Sequence, residues 1–196
     1  MFDVFFMPQT TSSDCTVTVA AMTVNALHGI RSNIVVPRYD QTQLLDAVGS
    51  RSWIEKTVED GAGTTFREFA GYLRRSLDAS GHKQARMSVF KPRRGDRRSL
   101  ARLRAALLAN EANPDSLMVV VYNQGMLVGN WNGPHASAVG GYDAAEDRVL
   151  IMDVDRGLPG PYWTSTERLH AAMLKPAPLD QGRLAGDTGG YIVVRG

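Results

Sequence analysis

The sequence has a single cysteine among its 196 residues, Cys15. One cysteine excludes a disulfide within the chain and any metal site built from several cysteine ligands. An excess of one charge is also missing, because 22 basic and 20 acidic residues leave a net charge of only +2. So small a charge argues against a nucleic-acid-binding protein. We therefore expect no nucleic-acid partner, no protein metal site and no cofactor.

Long hydrophobic runs are absent as well. No stretch approaches the roughly 20 apolar residues of a transmembrane helix. Residues 1–6 contain neither the basic region nor the cleavage site of a signal peptide. We expect a protein that has no membrane partner and acts in the cytoplasm, with a processed exported protein as the alternative. The basic run at residues 91–98 lacks interleaved aromatic residues, so we interpret it as a solvated loop rather than a phosphate-binding patch.

The composition is that of a compact folded protein. Hydrophobic residues make up 43% of the chain and charged residues 21%, which is enough apolar material for one substantial core. Neither an internal repeat nor a linker-like stretch divides the sequence. We therefore expect one domain over residues 1–196, and the sequence carries no signal for an oligomeric state.

Cys15 stands at a position suited to a nucleophile. It follows Gln9 and a polar run that ends at Asp14, and residues 16–28 are apolar at most positions, which predicts a buried helix that stops at Gly29. Free amides and the macrodipole at a helix N-terminus stabilise a thiolate, the reactive form of cysteine. The side-chain amide of Gln9 is a suitable donor to an oxyanion. The alternative is that Cys15 is a small buried apolar residue.

A histidine and an aspartate later in the chain are candidate partners for this thiol. His135 begins a run of small apolar residues, a polar turn follows, and a β-branched run then ends near Asp153. The pattern predicts a β-hairpin, in which the start of the first strand lies beside the end of the second. An imidazole that deprotonates the thiol and a carboxylate that orients the ring are what a cysteine peptidase requires. The alternatives are a structural histidine and a turn-forming aspartate.

The remaining pattern predicts a helical N-terminal half followed by a sheet-rich C-terminal half. Helical spacing and caps indicate helices over residues 41–48, 53–58, 66–77, 99–110 and 165–174. Alternating or β-branched runs indicate strands over residues 87–90, 117–122, 136–142, 149–154 and 191–194. The expected class is α+β, with a helical lobe packed on an antiparallel sheet.

Several of these residues occur in an order found in a known family. Gln9 follows Phe5 and Phe6 and leads to Cys15, and a block from His135 to residue 173 adds further matches at Ser137, 139–142, 150–154, Arg156, Pro161, Trp163 and 171–173. In this order the sequence resembles the phytochelatin synthase family, a papain-like group of cysteine peptidases and transpeptidases. The resemblance extends over nearly the whole chain.

The resemblance implies a papain-like fold and a catalytic triad. The triad would be Cys15, His135 and Asp153, with Gln9 and the Cys15 amide forming the oxyanion hole. The family cleaves the Cys-Gly bond of glutathione, releases glycine and holds the γ-glutamylcysteinyl group as a thioester. Water or a second glutathione then takes this acyl group, which gives hydrolysis or phytochelatin. The expected partner is therefore glutathione or a similar small thiol peptide, and any metal would act through the thiolates of the substrate.

Two regions depart from the family pattern. The nucleophile is flanked by Asp14 and Thr16, where the family has a small or aromatic residue and then glycine; an adjacent carboxylate opposes thiolate formation unless it caps the helix. Near the C-terminus the family has an aspartate and then a basic pair that helps to hold the γ-glutamyl group. Here Asp180 and Arg183 are followed by glycines at 189–190, where the basic pair would fall.

Arg156 does match the family, and a guanidinium at this position is suited to a substrate carboxylate. The alternative is a salt bridge to Asp155 or to another neighbour. Trp131 and Asn132 precede the histidine and form either a cleft wall or ordinary surface packing, and Asn132 is a weaker candidate than Asp153 for orienting the ring. Trp163 is expected to pack under the loop that follows Asp153.

Two other functions remain open from the sequence. One is a papain-like cysteine peptidase with the same triad and a different peptide or protein substrate, which the altered C-terminal region favours. The other is a catalytically silent binding module that uses the cleft as a receptor. The presence of Gln9, Cys15, His135 and Asp153 together argues against the silent module, because the chain retains all four residues that the chemistry requires.

Overall fold

The computed structural model describes residues 2–32, 36–93, 95–129 and 131–196. Within these ranges the helices are α1 (Cys15–Ser32), α2 (Gln41–Val48), α3 (Arg51–Lys56), α4 (Phe66–Ala79), α5 (Arg97–Glu111), α6 (Gly125–Val128) and α7 (Thr166–Leu174). The strands are β1 (Arg86–Phe90), β2 (Ser116–Asn123), β3 (Pro134–Asp143), β4 (Arg148–Asp153), β5 (Tyr162–Ser165) and β6 (Gly190–Arg195). Met1 in the N-terminal start and Arg94 in the basic run lie outside the described residues.

All six strands form one antiparallel sheet in the order β1-β6-β2-β3-β4-β5. The expected hairpin is present as β3 and β4, and its register pairs Ser137 with Asp153. A bulge between Val139 and Gly141 shifts the register within the hairpin. The start of β3 therefore lies beside the end of β4, as the sequence predicts.

Helices cover both faces of the sheet. Val119 and Val121 of β2 belong to the core beneath α1, α2 and α4, whereas Met118, Val120 and Tyr122 belong to the core beneath α5 and α7. Every residue of β2 is buried, as expected for a strand covered on both sides. The predicted α+β arrangement, with a helical lobe that carries the candidate nucleophile against an antiparallel sheet that carries the histidine, is confirmed. Of the helices in the described part of the chain, none has the length and apolar character to span a membrane.

The sequence predictions fail at the ends of elements and at the shortest elements. Helix α1 continues through Gly29 to Ser32, because packing around the buried Gly29 outweighs the weak helix propensity of glycine. Helix α6 and strand β5 were not predicted, since four residues are too few to show a periodicity. The expectation for Trp163 is wrong: it lies on β5 with 49% of its surface exposed, and the Arg148 guanidinium sits over its ring.

Glycines at 189 and 190 allow the backbone at the start of β6 to lie very close to the backbones of β2 and β1. A Cβ atom at Gly189 would overlap the Val121 carbonyl, and one at Gly190 would overlap the Phe90 carbonyl. Both obstacles are backbone atoms of the sheet, which cannot move aside as a flexible side chain can. The two positions where the family pattern has a basic pair therefore have no space for a side chain.

We expect Gly189→Ala to lower the free energy of unfolding by about 1–3 kcal/mol, because the backbone must shift to admit the methyl group. Gly71→Ala is the matched control: its Cβ on α4 would meet nothing within 4 Å, and loss of the glycine should stabilise the helix by roughly 0.5–1 kcal/mol. Urea unfolding of the two variants and the wild type measures both effects. A Gly189→Ala protein as stable as the wild type would contradict the tight approach of β6 to β2.

Candidate active site

Cys15 is the first residue of α1, the 18-residue helix that packs on the sheet. The side chain of Asp14 turns back and accepts hydrogen bonds from the Thr10 amide at 3.1 Å and the Thr10 hydroxyl at 2.6 Å. The Asp14 carboxylate is therefore stabilised by hydrogen bonds from Thr10, and not by capping the helix, which was the arrangement considered from the sequence. The thiol is partly exposed and stands at the positive end of the helix dipole.

His135 and Asp153 meet at the end of the sheet. The Nε2 atom of His135 lies 2.6 Å from Oδ1 of Asp153, and the Cys15 thiol is near enough to the imidazole to help to raise its pKa. Because Nε2 is occupied by the carboxylate, Nδ1 is the ring nitrogen that remains for the sulfur. The structure thus brings the thiol, the imidazole and the carboxylate into one row, in which the imidazole and the carboxylate are hydrogen-bonded.

The electrostatics of this row favour a charged imidazole. Burial by itself would lower the pKa of His135, but the charge of Asp153, with hydrogen bonds to Asp153 and Cys15, outweighs it and raises the pKa. Burial would raise the pKa of Asp153, yet the charge and hydrogen bond of His135 lower it well below the ordinary range. Each member of the pair stabilises the ionised form of the other.

Asp153 has further donors that sequence reasoning did not find. Its Oδ2 atom accepts hydrogen bonds from the Tyr122 hydroxyl at 2.8 Å and the Tyr162 hydroxyl at 3.0 Å, and its Oδ1 atom accepts one from the Asp155 amide at 3.0 Å. Tyr122 pairs with His135 across β2 and β3. The sequence places Tyr122 on a strand but does not give the register that brings it to the triad.

Gln9 also lies at the site. Its backbone amide donates to the Val154 carbonyl at 2.7 Å, which fixes it directly beside the residue after Asp153. One N–H of its side-chain amide donates to the Thr11 carbonyl at 2.9 Å, so the second N–H remains for another acceptor. The buried Oε1 atom has no hydrogen-bond partner among the described residues. The side chain lines the same cleft as Cys15.

The cleft has a volume of about 620 Å³, which is in the range of small-molecule and peptide sites. Its described walls include four predicted residues, Gln9, Cys15, His135 and Arg156, and also Ser12, Ser13, 60–64, Gln124, Trp131, Pro134, Asp155, Asp180, Gln181 and Leu184. Of the two interpretations of Trp131, the cleft wall is the one observed, and 47% of its surface is exposed there.

Arg156 lies on the rim of the cleft and makes two contacts. Nη1 donates to the Thr10 carbonyl at 2.9 Å, and Nη2 pairs with Glu59 at 3.0 Å. The observed salt bridge is therefore with Glu59, from a distant part of the chain. Arg183, in contrast, pairs with Glu68 at 2.7 Å and does not line the cleft. The sequence could not predict either pairing, because both join residues far apart in the chain.

The other three histidines and Asn132 do not take part in the triad. His28, His82 and His170 are outside the cleft, and Nε2 of His170 is 2.8 Å from the Ser99 hydroxyl. The side chain of Asn132 accepts a hydrogen bond from Asn123, so Asp153 is the residue found at the imidazole. In the ranges that the structure describes, no three His, Cys, Asp or Glu side chains are grouped to hold a metal ion.

Comparisons with known proteins agree with this description at the level of the family. A family model described as phytochelatin synthase matches residues 2–183. Among solved structures, the Pseudomonas avirulence protein AvrPphB is similar, with 10% identity over the whole of both chains and a TM-score of 0.34. A likeness of this size carries no argument about function. No curated protein matches the chain.

We expect stability to depend on pH through the His135–Asp153 pair. The folded pKa of Asp153 is lowered, so its contribution is present above the ordinary value of 3.8 and is lost as the pH falls through the lowered value. The folded pKa of His135 is raised, so its contribution is complete below the ordinary value of 6.5 and is lost as the pH rises through the raised value. Urea unfolding from acidic to alkaline pH measures the loss of stability from Asp153 at low pH and from His135 at high pH.

Asp153→Asn should abolish the dependence of stability on pH that comes from the His135–Asp153 pair. It should also lower the free energy of unfolding near neutral pH by about 1.5–3 kcal/mol. Asp46→Asn, an exposed change on α2, is the control and should keep the wild-type profile. If Asp153→Asn unfolds with the same pH dependence as the wild type, the pair is not ionised in the folded protein.

Proposed function

The chain belongs to the phytochelatin synthase family, and we propose that it is a thiol hydrolase and transpeptidase that cleaves the Cys-Gly bond of glutathione. One observation carries the proposal. Cys15 at the helix N-terminus lines the same cleft as His135 and helps to raise its pKa, and His135 is held by Asp153 at 2.6 Å on the wall of this cleft, which is large enough for a tripeptide. This is the constellation that activates a thiol for attack on an amide.

In the first step we propose that His135 takes the proton of the Cys15 thiol. The thiolate attacks the carbonyl carbon of the Cys-Gly bond, and the carbonyl electrons move to oxygen. The backbone amide of Cys15 and the free N–H of Gln9 donate to this oxyanion. Asp153 stays ionised throughout and stabilises the imidazolium that forms.

The tetrahedral intermediate then expels glycine. His135 returns its proton to the glycine nitrogen as the C–N bond breaks, which leaves γ-glutamylcysteine joined to Cys15 as a thioester. In hydrolysis, His135 takes a proton from water while the water oxygen attacks the thioester carbonyl. Release of γ-glutamylcysteine regenerates the Cys15 thiolate and the imidazolium. In transfer, the amino group of a second glutathione replaces water and the product is a phytochelatin.

We also propose that Arg156 receives a carboxylate of the substrate. Two of its five N–H donors are used by Thr10 and Glu59, so three remain. The side chain is 52% exposed on the rim of the cleft, where a carboxylate can approach it in the planar geometry that a guanidinium favours. The salt bridge to Glu59 holds the guanidinium in this orientation.

Glycine release from glutathione is the direct test. We expect mass spectrometry to detect glycine and γ-glutamylcysteine with the wild type, and longer oligomers at high glutathione concentration. Cys15→Ala should abolish glycine release, and His135→Ala should reduce it by at least about a thousandfold, because the thiol loses its base. His28→Gln, outside the cleft, is the control and should retain full activity.

Absence of glycine release while Cys15 still reacts with a thiol-directed acyl probe would reject glutathione as the substrate and keep the thiol enzyme. Absence of both reactions in a folded protein would instead support the silent binding module. The two outcomes separate the substrate from the chemistry.

The charge of the cleft favours a second candidate, a papain-like peptidase for peptides that carry a cation. Among the described residues that line the cleft, Asp60, Asp155 and Asp180 are acidic, whereas Arg156 supplies a guanidinium that is already paired with Glu59. Glutathione is anionic at neutral pH, and the backbone around residues 189–190 has no room for a basic pair to attract it. A substrate with a lysine or a free amine would complement this surface.

A peptidase for cationic peptides should prefer positively charged substrates. The wild type should cleave a lysine-containing peptide faster than its acetylated form, and Asp60→Asn with Asp180→Asn should lower kcat/KM for the lysine peptide by about fivefold. Added salt should also lower kcat/KM for the lysine peptide, because it screens the attraction between the carboxylates and the cation. Asp46→Asn on α2 is the matched control. Equal rates for the two peptides would exclude the cationic class.

A further inference from the structure

The two oxygen atoms of the Asp153 carboxylate have different partners. Oδ1 lies 2.6 Å from Nε2 of His135 and accepts the Asp155 amide, whereas Oδ2 accepts the hydroxyls of Tyr122 and Tyr162 and, at a longer 3.5 Å, the side-chain amide of Gln124. Hydrogen bonds at both oxygens fix the torsion angle of the carboxylate about its terminal bond. Without such contacts this angle has a broad distribution. The tyrosines therefore touch the carboxylate on the side opposite the imidazole, and neither is a residue that the proposed chemistry uses.

The protons in this cluster can be assigned. The Tyr122 oxygen lies 2.9 Å from the Ser137 hydroxyl and 3.0 Å from the Tyr162 hydroxyl, but Tyr122 has one proton to give. Asp153 is a carboxylate and only accepts, so the Tyr122 proton points to Oδ2. Ser137 then donates to the Tyr122 oxygen. Ser137 in this way fixes the direction of the Tyr122 proton.

The sheet register assembles the cluster. Tyr122 pairs with His135 between β2 and β3, and Ser137 pairs with Asp153 between β3 and β4, so these four side chains share one face. The Tyr122 ring also meets the imidazole edge-on, with ring centres 6.0 Å apart. Tyr122 thus contacts both members of the ion pair, and Tyr162 reaches the same carboxylate from β5.

Both tyrosines are suited to donate and not to ionise. Burial raises the pKa of Tyr122 and of Tyr162, and the charge of Asp153 raises it further. Each hydroxyl therefore keeps its proton at neutral pH and is available as a donor to Asp153. Tyr122 is fully buried, while Tyr162 is partly exposed and water can replace some of its contribution.

We propose that Tyr122 and Tyr162 are positioning residues: they lock the Asp153 carboxylate so that Oδ1 faces His135, and through it they maintain the imidazolium that activates Cys15. The proposal rests on the proposed thiol chemistry. It assigns no contact between either tyrosine and the substrate. Loss of the two hydroxyls leaves Oδ2 with only the long contact to Gln124, so the carboxylate is held less firmly and the imidazolium has a less well aligned partner.

Alkylation of Cys15 by iodoacetamide tests this without any substrate. The chain has one cysteine, so the rate reports only the Cys15 thiolate, and it stays measurable even if glutathione is not the substrate. We expect Tyr122→Phe with Tyr162→Phe to slow alkylation about tenfold at about pH 6, where the thiolate depends on the imidazolium. The rates should converge with the wild type at strongly alkaline pH, where the thiol ionises by itself.

Three comparisons separate positioning from general damage. In an Asp153→Asn background the tyrosine changes should have no further effect on alkylation, because the residue they act through is gone. Tyr142→Phe is the matched control: its hydroxyl also donates to a carboxylate, that of Asp147 at 2.9 Å, near the other end of β3, and it should alkylate like the wild type. The Nε2 proton of His135 should shift in the NMR spectrum of the double variant only.

The single variant Tyr162→Phe provides the same test if Tyr122→Phe fails to fold, with a smaller slowing expected. Wild-type alkylation rates at about pH 6 in folded variants would overturn the proposal. Equal slowing at every pH, or further slowing in the Asp153→Asn background, would also overturn it, because either result indicates damage that does not pass through Asp153.

Discussion

The hydrogen bond between His135 and the buried carboxylate of Asp153 is the interaction on which the rest of the site depends. A carboxylate that is 99% buried has to be compensated, because removal of its hydration is costly. The compensation comes from the imidazole, the Asp155 amide and the hydroxyls of Tyr122 and Tyr162. The same contacts that make the charge tolerable also define where the imidazole must lie.

Two units of the fold meet at this point. The β3–β4 hairpin supplies the histidine and the aspartate, and its register sets their distance. Helix α1 supplies the thiol at its N-terminus, and the loop before it is tied down at both ends, by Gln9 to Val154 and by Asp14 to Thr10. The nucleophile is therefore fixed relative to the sheet by backbone contacts rather than by the thiol–imidazole contact alone.

The chemistry and the substrate are decided by different parts of the molecule. The proposed chemistry rests on Cys15, His135 and Asp153, whereas the described walls of the cleft carry the carboxylates of Asp60, Asp155 and Asp180 and the paired guanidinium of Arg156. The entry to β6 is so close to its neighbouring strands that residues 189–190 must be glycine. The substrate can therefore differ while the proposed reaction stays the same, since the triad lies on α1, β3 and β4 and most of the other wall residues lie in loops.

The sequence by itself determined the features that depend on near neighbours in the chain. The N-terminus of α1 at Cys15, the hairpin that joins His135 to Asp153 and the α+β class follow from local periodicity and turn residues, and each is observed. Short elements and helix ends were missed, because four residues show no period and packing overrides the propensity of Gly29.

Only the tertiary structure decided the contacts between distant segments. The hydroxyls of Tyr122 and Tyr162 on Asp153 require the order of four strands, and the pairing of Arg156 with Glu59 requires the docking of two loops. No local pattern encodes a strand order or a loop contact, because both are set by how the two cores close around the sheet. Chain neighbours thus fix the reacting groups, and packing fixes what holds them in place.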